Sequence, residues 1–166
     1  MRKNTRFLSH AAIIAALYAL LCYLQNLILP GSASAMIQVR LAEALCILAF
    51  FTPAAIPGLT IGCLIFNLSN SAMPLDILLG AAATALATGA MYLTRRITWK
   101  GLPLLGIWMP TLFNALIIGW MLSVYAGGGF WLSAMYVAIG ETVAAVLLGT
   151  LFFFCLKIRN LDKRLF

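Results

Sequence analysis

Long apolar runs, separated by short polar turns, make up almost the whole chain. Six runs can be distinguished, because "PGSASA", "TPAAIP", "SAMP", "RRITWKGLP" and "AGGGF" interrupt them with Pro, Gly, Ser or charged residues. Most runs approach the roughly 20 residues with which a helix crosses a bilayer. The pattern therefore predicts six transmembrane helices, at about residues 8–29, 37–53, 56–72, 75–94, 103–124 and 131–156.

The type of secondary structure follows from the lipid solvent. Backbone N–H and C=O groups in lipid must bond within the protein, so only helices and closed barrels cross a membrane. The period-2 alternation of barrel strands is absent from the sequence. We therefore expect an all-α membrane protein, a single domain of residues 1–166 built as a bundle of six transmembrane helices. The first run is too long for the roughly 7–15-residue core of a secretory signal, so we expect a retained helix.

Composition supports this class, and the charges add an orientation. The chain is 64% hydrophobic and 9% charged, whereas soluble domains average about 25% charged residues. Lys and Arg mark the cytoplasmic ends of membrane helices. We therefore expect both termini on the cytoplasmic side of the plasma membrane, and the net charge of +7 needs no nucleic-acid partner. The basic residues that flank the runs are Arg2, Lys3, Arg6, Arg95, Arg96, Lys100, Lys157, Arg159, Lys163 and Arg164.

Motifs for catalysis and metal binding are missing from the sequence. His10 is the only histidine, and the four cysteines lie singly in apolar runs. HExxH, GxSxG and the GxxxxGK[ST] phosphate loop are absent. We therefore expect no enzyme, no disulfide framework, no metal and no other cofactor. Any ATP-driven step would belong to another chain.

Arg40 and Glu43 are two charged residues inside the second apolar run. They lie three residues apart, and so on one face of a helix, in its outer half. A charged residue in a transmembrane helix is costly and commonly marks a functional site. We expect Arg40 to hold Glu43 in its charged, oriented form. The alternative is an ion pair that only orients the helix.

Other polar and aromatic residues lie in the outer half or the middle of the predicted membrane region. Structural alternatives exist for most of them: hydrogen bonds between helices for the asparagines, a first-turn helix charge for Asp76, and an interfacial belt for Trp131. Glu141 is hardest to explain in this way, because no Lys or Arg lies within four residues of it. We predict a pocket open to the outside, lined by Arg40, Glu43, Asn67, Asn70, Asp76, Asn114, Trp131 and Glu141.

The chemistry of these side chains suits a planar heterocycle with several N–H groups. A carboxylate can accept two parallel N–H bonds from a guanine-like edge, and an asparagine can both donate and accept. Glu43 and Glu141 are both candidates for binding the base, and the sequence leaves the choice between them open.

Small residues form stripes on several predicted helices. Gly58 and Gly62 make a GxxxG motif in the third helix, and such faces let helices approach closely. In the first helix, the stripes either pack inside the bundle or present a docking surface to a partner protein. The two stripes there are Ala11, Ala15 and Ala19, and Ala12 and Ala16.

The blocks "QVRLAEAL" and "FFTPAAIPGLTIGCLIFNL", followed by "PLDILLG", "FNALIIG" and "VAIGETVAAVLLG", resemble the QueT family over nearly the whole chain. Proteins of this family are substrate-binding S components of energy-coupling factor (ECF) transporters, assigned to queuosine precursors. The resemblance implies capture of a 7-deazaguanine, preQ1 or preQ0, from outside the cell. It also implies a complex with a transmembrane T component and two ATPases, docked through small residues of the first helix.

The resemblance also bears on individual residues. It implies that Arg40 and Glu43 are part of the site, together with Asn114 from "FNA" and Glu141 from "GET". The position before Glu43 is often a hydroxyl residue in the family, and here it is Ala42, which removes one possible hydrogen bond.

Three other functions are compatible with the sequence. An S component for another purine-like compound or a vitamin would share the same architecture. An autonomous ion-coupled carrier would use Glu43 and Glu141 as proton relays, although such carriers commonly contain inverted repeats, and no convincing repeat is present. A structural membrane protein would bind no ligand at all.

Overall fold

The chain is helical throughout most of the residues that the computed structural model describes, which are 2–32, 39–70, 74–99 and 101–160. Seven α-helices lie in these ranges, together with two 3₁₀ segments and one π-helical segment. In chain order they are α1 (Arg2–Ile28), the 3₁₀ segment (Leu41–Ile47), α2 (Leu48–Phe51), α3 (Ala55–Asn70), α4 (Pro74–Thr94), a 3₁₀ turn (Gly106–Trp108), α5 (Met109–Ala126), α6 (Phe130–Glu141), the π segment (Thr142–Leu148) and α7 (Gly149–Ile158).

Within the described residues, four helical stretches are long and apolar enough to cross a membrane. They are Lys3–Ile28, Pro74–Thr94, Gly106–Ala126 and Phe130–Ile158. The apolar helices Leu41–Phe51 and Ala55–Asn70 are shorter. An all-helical, multi-pass membrane architecture is therefore confirmed, while the six-span count and the orientation of the termini stay predictions.

The second apolar run differs most from its prediction of residues 37–53. Its helical part is Leu41–Phe51, because Arg40 on one side (φ −96°, ψ 102°) and Thr52 on the other (φ −142°, ψ 135°) are extended. Thr52 precedes Pro53, and a residue before proline avoids helical dihedral angles because the ring clashes with it. The predicted start of this run lies outside the described residues.

The 3₁₀ segment is unusually long, since such helices seldom exceed three or four residues. Most of its side chains are buried, and it packs against the π segment, α1 and α7. Irregular backbone at membrane depth is tolerated where protein surrounds it. The two segments that depart from α-helical geometry therefore meet inside the bundle, one carrying Glu43 and the other directly following Glu141.

Helices α1 and α3 approach closely because α3 carries glycines at the interface. A Cβ on Gly58 would lie 2.7 Å from the carbonyl oxygen of Ala11, and one on Gly62 would lie 2.8 Å from that of Ala15. One alanine stripe of α1 is consequently buried and the other is exposed. The buried stripe is Ala11, Ala15 and Ala19, and the exposed stripe is Ala12 and Ala16.

The N-terminal half of α1 and the C-terminal half of α7 lie at the same end of the bundle. There they border an apolar groove of about 230 Å³. The residues that line this groove are His10, Ile13, Ile14, Leu17, Leu45, Leu48, Phe152 and Leu156.

Candidate ligand site

A first cluster of buried polar side chains joins the 3₁₀ segment to α1, α3 and α4. Arg40 and Asp76 form a salt bridge with 3.3 Å between Nη2 and Oδ2, and both side chains are buried. We expected Glu43 as the partner of Arg40, whereas this salt bridge joins Arg40 to Asp76. Asp76 is thus a buried member of the cluster and more than a charge in the first turn of α4.

Glu43 accepts hydrogen bonds from α1 and from its own segment. The Tyr18 hydroxyl donates to Oε1 at 2.5 Å, and the Cys46 thiol donates to Oε2 at 3.0 Å. Three residues per turn place Cys46 one turn after Glu43 on the same side of the 3₁₀ segment. Both carboxylate oxygens therefore have partners. The sequence analysis did not select Tyr18. Its only signal was a tyrosine hydroxyl in the middle of the first apolar run, next to the alanine stripes.

Asn67 and Asn70 each make a hydrogen bond between helices. Such bonds were the structural alternative to ligand binding for these two residues. Asn67 Nδ2 donates to the backbone oxygen of Asp76 at 3.0 Å. Gly80 leaves room for this bond, since a Cβ there would lie 2.6 Å from Asn67 Nδ2. Asn70 lies at the edge of the cluster, where its Oδ1 accepts from Asn26 Nδ2 at 3.2 Å.

Gln25 holds the start of the 3₁₀ segment against α1, although the sequence analysis did not select it. Its side chain is buried, and its Oε1 accepts from the backbone N–H of Leu41 at 2.8 Å. Its Nε2 donates to Ser32 Oγ at 2.9 Å and to the carbonyl of Val39. These bonds position Arg40, which lies between the two anchored residues. Two adjacent amide residues within an apolar run, Gln25 and Asn26, were the available signal.

A second cluster lies on α5 and at the end of α6, and some of its atoms lack partners. Thr111 and Asn114 are three residues apart on one face of α5, and Glu141 ends α6 where the π segment begins. Their exposures are 8%, 5% and 2%. Thr111 Oγ1, Asn114 Nδ2 and Glu141 Oε2 are buried without a hydrogen-bond partner.

The two clusters are neighbours. Glu141 interacts electrostatically with Glu43 and Arg40. The Asn114 amide lies beside the Glu141 carboxyl group, but its Nδ2 and Glu141 Oε2 make no hydrogen bond of ordinary geometry. The contact between the 3₁₀ and π segments brings the two carboxylates into one region. A short π-helical insertion of this kind is frequent at functional sites.

Buried polar atoms without partners are informative about function. Each costs about 1–3 kcal/mol, and the large majority of such atoms in proteins are hydrogen-bonded. Here they differ in kind, because Asn114 Nδ2 is a donor and Glu141 Oε2 is an acceptor when the carboxyl group is ionised. A ligand with an acceptor beside a donor would satisfy both atoms.

Trp131 and the apolar groove are separate from both clusters. Trp131 is 79% exposed, and its ring packs edge-on against Phe130 with centroids 4.9 Å apart. The groove is lined by Leu45 and Leu48, one 3₁₀ turn apart, on a different side of the second run from Glu43. Apart from one histidine its lining is apolar, so it does not suit a polar ligand. No metal site of three or more His, Cys, Asp or Glu side chains is present among the described residues.

A bundle of apolar helices around buried charged and amide side chains defines a multi-pass membrane protein with a polar interior. The sequence model of the QueT transporter family matches residues 8–158 of the chain. The chain therefore belongs to the QueT transporter family, the S components of ECF transporters. No curated protein and no solved structure matches the chain.

Proposed function

We propose that the protein captures a 7-deazaguanine, such as preQ1 or preQ0, from outside the cell for an ECF-type importer. The observation that carries this proposal is the pair of unpartnered buried atoms, the donor Asn114 Nδ2 and the acceptor Glu141 Oε2. A guanine-type edge offers N–H donors at N1 and the exocyclic amine beside a carbonyl acceptor. Amide and carboxylate therefore complement it, and the bonds to an ionised carboxylate are the stronger ones.

The two carboxylates have different roles in this proposal. Glu141 binds the base, because it has an oxygen without a partner, whereas both oxygens of Glu43 accept bonds from Tyr18 and Cys46. The supporting residues of the first cluster hold the shape of the site. They are Arg40, Glu43, Asn67 and Asp76, with Asn70 at the edge of the cluster. Trp131 lies apart from the cluster, exposed at the start of α6.

The proposed topology has six spans with both termini in the cytoplasm. Two observations support it: the basic residues flank the apolar runs, and α1 and α7 border the same groove. Helix α3 also packs along α1 from the level of Ala11, next to Gly58, to the level of Asn26, next to Asn70. That stretch of α1 covers about 15 residues, or roughly 23 Å at 1.5 Å per residue, which approaches the hydrocarbon thickness.

A T component and two ATPases are the proposed partners. The chain has no phosphate loop of its own, so ATP-driven uptake would need ATPases from other chains. Docking on the T component would use Ala12 and Ala16, because the other alanine stripe is buried in the bundle. Replacing Ala16 by Trp should reduce co-purification with the T component and leave the melting temperature unchanged. Leu78→Trp, on the exposed face of α4, is the matched control.

A thermal-shift panel on the purified protein tests the proposed ligand class. The panel contains preQ1, preQ0, guanine and B vitamins. A ligand at 100 times its Kd stabilises the folded state by about 2.7 kcal/mol. We expect a raised melting temperature with a 7-deazaguanine, and no shift with any 7-deazaguanine would overturn the proposal.

Reconstitution separates this function from an autonomous carrier. In liposomes that contain the chain, a T component and both ATPases, uptake of preQ1 should require ATP. The chain alone should give none, even under a pH gradient. Uptake by the chain alone that Glu141→Gln abolishes would instead favour an ion-coupled carrier.

A further inference from the structure

The charges buried inside the bundle do not balance. Three of the four acidic residues of the chain are buried, namely Glu43, Asp76 and Glu141. The fourth, Asp162, lies outside the described residues. Among the side chains that the structure describes, Arg40 is the only buried Lys or Arg. If all four groups are ionised, the interior carries a net charge of −2, which is one positive minus three negative charges.

The salt bridge joins the one buried positive charge of the described side chains to Asp76, and Arg40 acts on Glu43 and Glu141 only through longer-range electrostatics. Arg40 lies 3.3 Å from Asp76, so these two opposite charges form a neutral pair. Glu43 and Glu141 remain, and they interact electrostatically with each other. The other titratable groups that act on the cluster are a phenol and three thiols, which add no positive charge. They are Tyr18, Cys22, Cys46 and Cys63.

Two like charges near each other in a medium of low polarity require compensation. In the ligand-free protein a proton can supply it. A bound cation can supply it as well, and its charge then contributes to affinity. A neutral ligand of the same shape lacks this contribution.

We infer that this site binds its ligand as a cation, a planar base that carries a protonated amine, with Glu43 and Glu141 as the opposing charges. The identity of the base in this inference rests on the proposed function, whereas the positive charge of the ligand does not. Glu141 Oε2 is an independent sign of a ligand at this place, because it is buried and has no partner. Within the 7-deazaguanines, the inference selects aminomethyl compounds over nitriles.

Matched ligands test the charge directly. preQ1 carries an aminomethyl group, preQ0 carries a smaller neutral nitrile at the same position, and N-acetyl-preQ1 is larger and neutral. Calorimetric titration of the purified full chain should give a Kd for preQ1 at least about tenfold lower than for either neutral compound. A pocket matched in size to preQ1 would also disfavour both neutral compounds, so the carboxylate variants decide whether charge is the cause.

Variants then link the preference to the carboxylates. Glu43→Gln and Glu141→Gln each remove one negative charge with little change in shape. At least one of them should narrow the ratio of the preQ0 and preQ1 dissociation constants to about threefold or less. A preQ0 affinity equal to that of preQ1 in the wild type, or an unchanged ratio in both variants, would overturn the inference.

A second ligand pair separates this inference from the proposed function. Pyridoxamine and pyridoxal are planar heterocycles that differ by a protonated amine. Binding of pyridoxamine without any 7-deazaguanine would refute the proposed ligand class and support the cation. Equal binding of preQ1 and preQ0 would refute the cation and support the ligand class. No binding of any of these compounds would overturn both.

Discussion

The two polar clusters lie side by side in the bundle but differ in how their atoms are paired. In the first cluster, Arg40 is bridged to Asp76, and both oxygens of Glu43 accept hydrogen bonds. In the second, Asn114 and Glu141 each keep a buried atom without a partner. Burial of Glu43 and Glu141 is similar, so the difference between these two carboxylates lies in the hydrogen bonds to their oxygens.

We interpret this difference as a division of roles, in which the first cluster stabilises the fold and the second binds the ligand. A polar group whose bonds are all made within the protein stabilises one arrangement of helices, and its loss is felt as a loss of stability. A buried group without a partner costs stability in the empty protein and gains most when a ligand arrives. We therefore expect changes in the first cluster to act mainly on folding and changes in the second mainly on binding.

The largest effect is expected for Arg40→Leu. This change leaves Asp76 as an uncompensated buried charge, which costs about 3–5 kcal/mol. The measurement is the free energy of unfolding in detergent. The double variant Arg40→Leu, Asp76→Leu should recover most of the loss, because an apolar pair can replace a buried ion pair. A double variant as unstable as the single one would contradict the assigned pairing.

Tyr18→Phe should lower the free energy of unfolding by about 1.5–3 kcal/mol, because it removes a hydrogen bond to a charged acceptor. Chemical denaturation of the purified variant measures the loss. Tyr23→Phe is the matched control, since the Tyr23 hydroxyl bonds to Ser69 at an exposed site. The control should lower the free energy of unfolding less than Tyr18→Phe does. Equal effects would contradict the view that the buried hydrogen bond from Tyr18 to Glu43 stabilises the fold.

Gly62→Ala should lower stability by about 1–3 kcal/mol through overpacking. The added Cβ would lie 2.8 Å from both the Ala15 carbonyl oxygen and the Tyr18 Cβ, and so would displace the donor to Glu43. The same substitution at Gly89, where a Cβ meets nothing within 4 Å, should stabilise the helix by about 0.5–1 kcal/mol. Thermal unfolding compares the two variants, and effects of the same sign would contradict this packing of α1 on α3.

Thr111→Val tests the second cluster and should act in the opposite direction to Tyr18→Phe. Its hydroxyl is buried without a partner, so removing it at similar volume should leave stability unchanged or raise it by about 1 kcal/mol. The check is the melting temperature of the ligand-free protein. A clear loss of stability would show that the hydroxyl makes a bond that supports the fold.

The helices could be predicted from the sequence, but their departures from α geometry could not. Apolar runs and turn residues gave the order of the helices. The 3₁₀ segment depends on Gln25, which lies 16 residues before Leu41, and on contact with the π segment about a hundred residues later. Such contacts are tertiary, and local propensity does not contain them.

The members of the site were easier to predict than their partners. A charge in an apolar run is visible in the sequence, and Arg40, Glu43 and Glu141 were selected in this way; the structure buries all three, while their part in a ligand site stays a prediction. Pairing depends on which helices become neighbours: Tyr18 is 25 residues from Glu43, and Asp76 is 36 residues from Arg40. Sequence spacing therefore favoured the local pair of Arg40 and Glu43, whereas the salt bridge runs to α4.

The most direct test of the distinction between the clusters is the Kd of preQ1, measured by calorimetry together with the melting temperature, for the wild type, Glu141→Gln and Tyr18→Phe. We predict that Glu141→Gln weakens binding at least about tenfold while the melting temperature is kept, because it turns an acceptor at the base into a donor. Tyr18→Phe should lower the melting temperature and change Kd less than Glu141→Gln does. Unchanged affinity in Glu141→Gln, or a larger loss of affinity in Tyr18→Phe, would contradict the account.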